Sequence, residues 1–402
     1  MGYRAEFTGW NSITIEDLLV AYRKAKADCF FENTFPTAIK FAEYEQNLLT
    51  NLKALLGQLQ ADAGFAENVE LLGDFRLLPK KLSTERKSDS GDNGHVHFSK
   101  PDRAVESLFK NYNVVPEFRI VGDFPVNTHI ISALWINMIG HKFDAKLDDS
   151  CYGARLKRIS NDELITEDNE KPFHISSVGS FVPYFQPYQK WRNDGLKTIR
   201  EELEKDRDII AVSLDLKSYY HFIDPLITSA SALIEALDLN LSDEEKSFTK
   251  QLSLFLNAWA SGATKFGKSV GGKKAKISGG LVIGLTCSRV ISNALLHKWD
   301  RLVIEKLSPI HYGRYVDDMF LVLRDTGKIS NSQDFMLLLQ ERMGEKCIAQ
   351  NPKTNKVWEI NQGDDVQCNS KISLQSDKQK LFVLQGRAGL DLLDSIEKEI
   401  YE

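Results

Sequence analysis

The sequence lacks the cysteine spacing that is typical of a disulfide framework or a zinc site. Its 402 residues include five cysteines, which are scattered, odd in number and without a C-x-x-C pair: Cys29, Cys151, Cys287, Cys347 and Cys368. Disulfide-rich domains and zinc sites both need closely and regularly spaced cysteines. We therefore expect reduced thiols and a cytoplasmic protein.

Long hydrophobic runs are also missing. The first residues, MGYRAEFTGW, contain no apolar stretch, and Glu6 stands where N-myristoylation requires Ser or Thr. The most apolar segment, FRIVGDFPVNTHIISALWINMIG, is interrupted by polar residues that include Arg119 and Asp123. A membrane-spanning helix needs about 20 predominantly apolar residues. The sequence therefore predicts neither a signal peptide nor a membrane span.

An overall excess of positive charge is absent, because the net charge is −5 at pH 7. Basic residues are nevertheless concentrated in two segments. TKFGKSVGGKKAK, which starts at Thr264, has five lysines and no acid, and PKKLSTERK, which starts at Pro79, is also basic. Such segments either contact phosphates or form a solvated surface, and the sequence leaves both interpretations open.

Two patterns suggest ligand sites that their surroundings do not support. GATKFGKS, residues 262–269, matches the Walker A pattern in every fixed position. A phosphate-binding loop, however, lies between a buried strand and a helix, whereas this one follows a helical pattern and precedes a glycine-rich segment. We therefore reject an ATPase that depends on Lys268. His95 and His97, in a predicted loop over 83–100, lack the further ligands of a metal site.

Helical patterns alternate with short apolar strands along the chain. Thr14–Asp17 matches a capping box at the start of a helical region, 14–61. Strands are predicted at IIAVSLD, on both sides of the VDD in GRYVDDMFLVLRD, and at KLFVLQG, with a polar insertion over 344–370. This alternation predicts an α+β fold with a central antiparallel sheet.

Three aspartates stand next to apolar strands. Asp215 ends the strand IIAVSLD, and Asp317 and Asp318 lie between the two strands of a predicted hairpin. Burying neighbouring carboxylates costs several kcal/mol unless a cation offsets their charge. Oxygen ligands in small number suit Mg²⁺. Two such ions about 4 Å apart can activate a 3′-hydroxyl and stabilise a pyrophosphate leaving group.

These motifs resemble those of reverse transcriptases. YVDD resembles the signature hairpin of that family, and Asp215 with Tyr219–Tyr220 resembles its first palm motif. IGLTCSRVISN, at Ile283–Asn293, is similar to the loop-to-helix motif that supports template and nucleotide. LQSDKQ, at Leu374–Gln379, stands where the family has Leu-Asn-x-x-Lys-Thr, with Gln in place of Asn and Thr. The segment FRIVGDFPVNTHIISALW resembles the fingers.

The variant of the second motif resembles the bacterial abortive-infection and defence-associated enzymes. Retron and group II intron enzymes usually have Gln and Pro where this chain has Ile283 and Arg289. The resemblance covers roughly residues 75–386. It implies a right-hand polymerase fold with an N-terminal helical region (1–75), fingers (76–207), a palm with a central antiparallel sheet (208–386) and a C-terminal helix (387–402).

The resemblance implies a set of metal ligands and catalytic residues. Asp215 and Asp317 would bind two Mg²⁺ ions, or Mn²⁺, with Asp318 in support and a backbone carbonyl from Leu216. Lys378 would protonate or pair with the leaving pyrophosphate.

Substrate-binding residues are implied in the same way. Tyr220 would exclude a ribose 2′-hydroxyl, and Arg119 would hold the triphosphate. Gly284 would let the backbone approach the nucleotide. Ser288 and Arg289 belong to the same second motif, and Arg289 would contact phosphate or pair with an internal acid.

The expected function is that of an RNA-directed DNA polymerase in anti-phage defence. Its partners would be dNTPs, an RNA template or structured non-coding RNA, and the DNA product. Three alternatives remain: template-independent addition of deoxynucleotides, an RNA polymerase, and a non-catalytic nucleic-acid-binding scaffold. A thumb is expected to be reduced or absent, because one short helix, AGLDLLDSIEKEIYE, follows the last strand. Either the chain is a fragment of a longer protein, or a second copy, a partner chain or a structured RNA completes the grip on nucleic acid.

Overall fold

The computed structural model describes residues 6–31, 37–61, 65–86, 100–159, 172–271, 279–354, 356–376 and 379–401. Their helices are α1 (Ile15–Phe30), α2 (Ala38–Glu45), α3 (Leu48–Ala61), α4 (Val69–Leu72), α5 (Pro101–Asn111), α6 (Val126–Trp135), α7 (His141–Ala145), α8 (Phe185–Glu204), α9 (Tyr219–Phe222), α10 (Ser231–Ala236), α11 (Asp243–Gly271), α12 (Thr286–Leu295), α13 (His297–Leu307), α14 (Ser332–Met343), α15 (Asp364–Gln367) and α16 (Leu390–Tyr401).

The strands form three separate antiparallel sheets. They are β1 (Asp74–Arg86), β2 (Tyr112–Asp123), β3 (Ile209–Asp215), β4 (His311–Tyr315), β5 (Asp318–Arg324), β6 (Ile348–Gln350), β7 (Val357–Ile360), β8 (Ile372–Gln375) and β9 (Lys380–Leu384). β1 pairs with β2, the four-stranded sheet has the order β4-β5-β3-β9, and the third sheet has the order β6-β7-β8. The predicted α+β class and central antiparallel sheet are confirmed.

Both faces of the four-stranded sheet are covered. Alternate residues of β3 point to opposite faces. Ile209 and Ala211 join a cluster with α8 and α16, whereas Ile210, Val212 and Leu214 join the main hydrophobic core. This two-sided burial explains why IIAVSLD is a nearly continuous apolar run rather than an alternating one.

The N-terminal helices belong to the same core as this sheet. The capping box predicted at Thr14 is present, because the Thr14 hydroxyl accepts from the Asp17 amide and the Asp17 carboxylate accepts from the Thr14 amide. α1 packs on α6 and α3, and the main hydrophobic cluster extends from Phe7 to Leu374. The N-terminal, fingers and palm regions proposed from the sequence share this core, whereas the C-terminal helix joins the smaller cluster with α8. The boundaries of the four regions stay predictions.

Two sequence-based expectations need correction. β1 continues to Arg86, into the segment predicted as a loop, since its partner strand β2 supplies hydrogen bonds as far as Tyr112; His95 and His97 lie outside the described residues. The polar insertion contains the β6-β7-β8 sheet, which buries Trp358 completely.

α11 continues through GATKFGKS to Gly271. Helical hydrogen bonds occupy the amides that a phosphate-binding loop would expose, which agrees with the rejection of a P-loop.

The C-terminal helix α16 packs against the sheet region rather than standing apart. Leu393 is buried in the cluster that α8 forms on one face of the sheet. Arg200 of α8 donates hydrogen bonds to Asp394 at 2.7 Å and to Glu397 at 2.6 Å. Part of the apolar stripe of this helix is therefore covered within the chain. In the described part of the chain, no helix is both long and apolar enough to span a membrane.

Candidate functional site

Strand pairing brings the predicted aspartates to one edge of the four-stranded sheet. β3 and β5 pair antiparallel, and Asp215 is the direct partner of Asp318. Residues in such positions have Cβ atoms about 4.5–5.5 Å apart. Like charges placed directly opposite each other destabilise a sheet. This arrangement therefore favours a bound cation or a shared proton.

The turn between β4 and β5 presents the third carboxylate. Val316 and Asp317 form the two-residue connection, and Val316 has a φ of 59°. A positive φ at the first central residue alone is the pattern of a type II′ turn. For a β-branched residue this conformation costs on the order of 1–3 kcal/mol. The Leu216 amide donates to the Asp317 carbonyl at 3.3 Å, which joins the turn to the chain just after β3.

The carboxylates influence one another's ionisation. Burial and, to a smaller extent, the negative charges of Asp317 and Asp215 together raise the pKa of Asp318 to about 6. Burial also raises the pKa of Asp317, with Asp215 acting in the same direction. The charges of Arg119 and Arg314 oppose that rise in the Asp317 pKa. The site therefore favours extra positive charge near Asp317 and Asp318.

The donor set fits magnesium better than a closed metal cage. Among the described residues, no group of three or more His, Cys, Asp or Glu side chains is already arranged around one ion position. Mg²⁺ commonly uses only one or two protein carboxylates and keeps several waters. Asp215, Asp317 and Asp318 supply oxygen donors of that kind. Leu216 is buried next to Asp215, so its predicted contribution is limited to its backbone carbonyl.

The sequence analysis did not identify Arg314, a buried residue that contacts the turn between β4 and β5. Arg314 of β4 is fully buried and pairs with Asp300 of α13, with its Nε 2.8 Å from Oδ1 and its Nη2 2.7 Å from Oδ2. The Tyr312 hydroxyl donates to the same carboxylate at 2.5 Å. Arg314 Nη1 also donates to the Val316 carbonyl at 2.8 Å. The strained turn residue is thus fixed by a buried ion pair.

Two further contacts connect α12 to the same turn. Arg314 Nη1 donates to Asn293 Oδ1 at 2.9 Å, and Asn293 Nδ2 donates to the Gly153 carbonyl at 2.8 Å. A Cβ atom on Gly153 would lie 2.8 Å from the Val316 nitrogen, so only glycine permits this close approach. One feature of the sequence could have indicated that Arg314 is buried. Alternate residues of a strand point to the same face, so Arg314 lies on the same face of β4 as the apolar Tyr312.

Tyr220 lies beside α12. Its hydroxyl is 2.9 Å from the Ser292 hydroxyl, and its carbonyl accepts from the Leu281 amide at 2.8 Å. The ring is half-buried, whereas Tyr219 is fully buried with its hydroxyl donating to the Ser292 carbonyl at 2.7 Å. Tyr220 is therefore the more accessible of the two rings. Its role in excluding a 2′-hydroxyl stays a prediction.

Gly284 lies against the end of β2. It has a φ of +101°, and a Cβ there would lie 3.4 Å from the Gly122 carbonyl oxygen. The Gly122 amide donates to the Ile283 carbonyl at 3.3 Å. The glycine thus allows the loop before α12 to pass close to the β1-β2 hairpin, which carries Arg119.

The remaining predicted residues lie at different depths. Arg119 is exposed on β2. Its positive charge opposes the rise in the pKa of Asp317, and it adds to the lowering of the His221 pKa that burial causes. Ser288 is buried, so the structure does not bring its hydroxyl to the surface of the site. The Arg289 guanidinium lies 5.2 Å from the centre of the Phe181 ring. Lys378 lies outside the described residues.

Comparison with protein-family models and with curated proteins finds no match for this chain. The resemblance to reverse transcriptases therefore depends on the motifs at Asp215, Ile283–Asn293 and Asp317–Asp318.

Proposed function

We propose that this chain is a divalent-metal-dependent DNA polymerase of the reverse transcriptase type. The observation that carries the proposal is the direct pairing of Asp215 with Asp318, with Asp317 in the adjoining turn. In this interpretation the β4-β5-β3-β9 sheet is the palm, and β1-β2 with the helices around it forms the fingers. The motif order along the chain supports the same assignment.

The three carboxylates would hold Mg²⁺, or Mn²⁺, at the edge of the sheet. When bound there, such ions activate a 3′-hydroxyl and stabilise the pyrophosphate leaving group. The residues of the chain fix where this occurs. The hydrogen bond from Arg314 to the Val316 carbonyl orients the turn that carries Asp317, and the pairing of β3 with β5 fixes Asp215 against Asp318.

The deoxynucleotide would lie between the fingers and the palm. Arg119 on β2 would bind the triphosphate, which is supported by the effect of its charge on Asp317. Tyr220 would contact the sugar, with its ring held by the hydroxyl of Ser292 at 2.9 Å. An aromatic ring at the 2′ position excludes ribonucleotides by steric conflict. Lys378 would act on the pyrophosphate.

An RNA template or a structured RNA, a role in anti-phage defence and a cytoplasmic location complete the proposal. A template-independent deoxynucleotide transferase of the same fold is a second candidate, because Ile283 and Arg289 depart from the template-supporting motif of retron and group II intron enzymes. A non-catalytic scaffold is less well supported, because it would keep a repulsive carboxylate pair with no use for a cation.

Primer extension by the purified protein tests the proposal. The reaction would compare dNTPs with NTPs, Mg²⁺ with EDTA, and an RNA template with no template. Asp317→Asn should abolish incorporation. Asp238→Asn is a matched control, since the Asp238 side chain is fully exposed and its positive φ suits asparagine. Full incorporation by the Asp317 variant would exclude a catalytic role for this carboxylate. Incorporation that does not depend on added RNA would favour the second candidate.

A further inference from the structure

Three exposed aromatic side chains and one half-buried aromatic side chain lie near the carboxylates. Tyr184, Phe185 and Tyr188 lie at the start of α8 with 76%, 49% and 40% of their surface exposed. Tyr315, the strand partner of Asp318, is the half-buried one. We call these four residues the aromatic surface. Exposed aromatic residues that are contiguous mark interaction sites more often than scattered ones do.

Two of the four rings, those of Tyr188 and Tyr315, are held in place by ring contacts. The Tyr188 and Tyr315 ring centres are 5.3 Å apart with nearly perpendicular planes. Both rings contact the buried Trp191, whose indole nitrogen donates to the Gly313 carbonyl at 2.9 Å. The Tyr315 hydroxyl donates to the Tyr184 carbonyl at 3.0 Å. The Tyr188 and Tyr315 rings therefore lose little conformational entropy when they bind a planar group.

Two cations belong to the same helix as the exposed aromatic residues. The segment FVPYFQPYQKWRN, residues 181–193, contains Lys190 and Arg192 and no acid. Lys190 also pairs with Asp194 at 2.5 Å and lies 5.3 Å from the Tyr152 ring. Aromatic rings interleaved with cations are the pattern that binds single-stranded nucleic acid, since bases stack on the rings and phosphates contact the cations.

The aromatic surface alone is smaller than a stable protein interface. The exposed parts of the three α8 rings sum to on the order of 300 Å², taking about 200 Å² for a full ring. A stable protein interface buries about 800 Å² on each partner. Stacked bases need much less area, because each base contributes about 1–3 kcal/mol when it stacks on an aromatic side chain.

We propose that the aromatic surface binds single-stranded DNA through stacking of its bases. The strand would be the one extended at Asp317 and Asp318, since Tyr315 joins the aromatic surface to the β4-β5 turn. The identity of this strand rests on the proposed function. The capacity to stack bases rests only on the rings and their neighbouring cations.

Fluorescence anisotropy with a labelled 12-nucleotide oligo(dT) tests this without catalysis, in the absence of dNTPs. Tyr184→Ala should weaken binding by at least about fivefold, the loss expected for one stacked base. Tyr184→Phe keeps the ring and should bind like the wild type. Phe30→Ala is the matched control, since Phe30 is 74% exposed on α1, and it should change nothing. Lys190→Ala should reduce the salt dependence of binding, whereas Tyr184→Ala should leave that slope unchanged.

A cross-linking experiment locates the contact between the oligonucleotide and the aromatic surface directly. An oligonucleotide carrying 5-iododeoxyuridine should cross-link to a peptide that contains residues 184–188. Wild-type affinity of the folded Tyr184→Ala variant, or tighter binding of the matching RNA oligonucleotide than of DNA, would overturn the proposal. A change from dimer to monomer with unchanged oligonucleotide binding would do the same and assign the surface to a second copy. If bases stack on these rings but the protein incorporates no nucleotide, the aromatic surface is a binding site for single-stranded DNA and the proposed polymerase function is wrong.

Discussion

Arg314 forms an ion pair with Asp300 inside the protein, with 0% and 3% of the two side chains exposed and a shortest distance of 2.7 Å. Removing two charges from water is costly, and a hydrophobic pair of similar volume is often as stable. Here the same guanidinium also binds the Val316 carbonyl, in the turn that presents Asp317. The ion pair thus fixes a strained backbone next to the proposed catalytic carboxylates.

Breaking this pair should strongly destabilise the fold. Arg314→Met leaves the Asp300 carboxylate buried without its cation, and we expect a loss of about 3–5 kcal/mol in the free energy of unfolding. Urea denaturation measures it. The double variant Arg314→Met with Asp300→Leu should recover much of the stability but little polymerase activity, because the Val316 carbonyl stays without its donor. An unchanged urea midpoint in the single variant would contradict this role.

Magnesium should stabilise the wild-type protein through the carboxylates. A ligand that binds only the folded state at ten times its dissociation constant adds about 1.4 kcal/mol to stability. Thermal unfolding in Mg²⁺ and in EDTA should therefore differ for the wild type and for Asp238→Asn. The difference should shrink or vanish in Asp215→Asn and Asp317→Asn. An equal shift in all four proteins would place the bound ion elsewhere.

The Tyr220 ring should set the preference for deoxynucleotides. Tyr220→Ala opens space at the sugar, and we expect the ratio of kcat/KM for dNTP over NTP to fall by roughly tenfold or more. Tyr220→Phe keeps the ring and should keep the preference, although it loses the hydrogen bond to Ser292. If discrimination is the same in all three proteins, Tyr220 is a packing residue.

Acid should destabilise the protein through buried histidines. Burial, together with the positive charge of Lys40 and against the opposing charge of Asp123, lowers the pKa of His129 to about 4. Between pH 6.5 and 4 the unfolded chain therefore binds a proton that the folded chain does not. The free energy of unfolding should fall as the pH decreases through this window, by up to about 1.4 kcal/mol per pH unit for each such group. Above pH 6.5 the free energy of unfolding should not depend on the protonation of His129.

The measurement is urea denaturation at several pH values for the wild type and His129→Gln. Burial also lowers the pKa of His141 and of His221 to about 4, so part of the slope remains in the variant. A slope identical to that of the wild type would show that His129 binds its proton over the same pH range in the folded and unfolded states, against this prediction.

Local patterns were enough to predict the main elements of the fold. The Thr14 capping box depends on residues three positions apart, and the strand that ends in Asp215 is a short apolar run. Both are confirmed because their determinants lie within a few residues. To predict that Asp215 lies close to the VDD turn, only one further assumption was needed, which is that the two apolar strands pair antiparallel.

Features that depend on distant contacts could not be predicted in this way. The pairing of Arg314 with Asp300 joins a strand to a helix, and nothing local distinguishes Asp300 from an exposed acid. α11 continues past Gly262 because the Phe75 ring packs against that glycine, at 2.6 Å from where a Cβ would stand. The aromatic surface was missed because Tyr184 and Tyr315 are far apart in the sequence.

The most direct test measures nucleotide incorporation by the purified wild-type protein and by Asp317→Asn, in parallel, with each of the four dNTPs and Mg²⁺. The expected result is labelled DNA from the wild type and from Asp238→Asn, none from Asp317→Asn, and wild-type thermal stability in all three without metal. Equal incorporation by Asp317→Asn, or none by the folded wild type with Mg²⁺ or Mn²⁺ on any RNA, DNA or template-free substrate, would contradict the assignment of these carboxylates as a polymerase site.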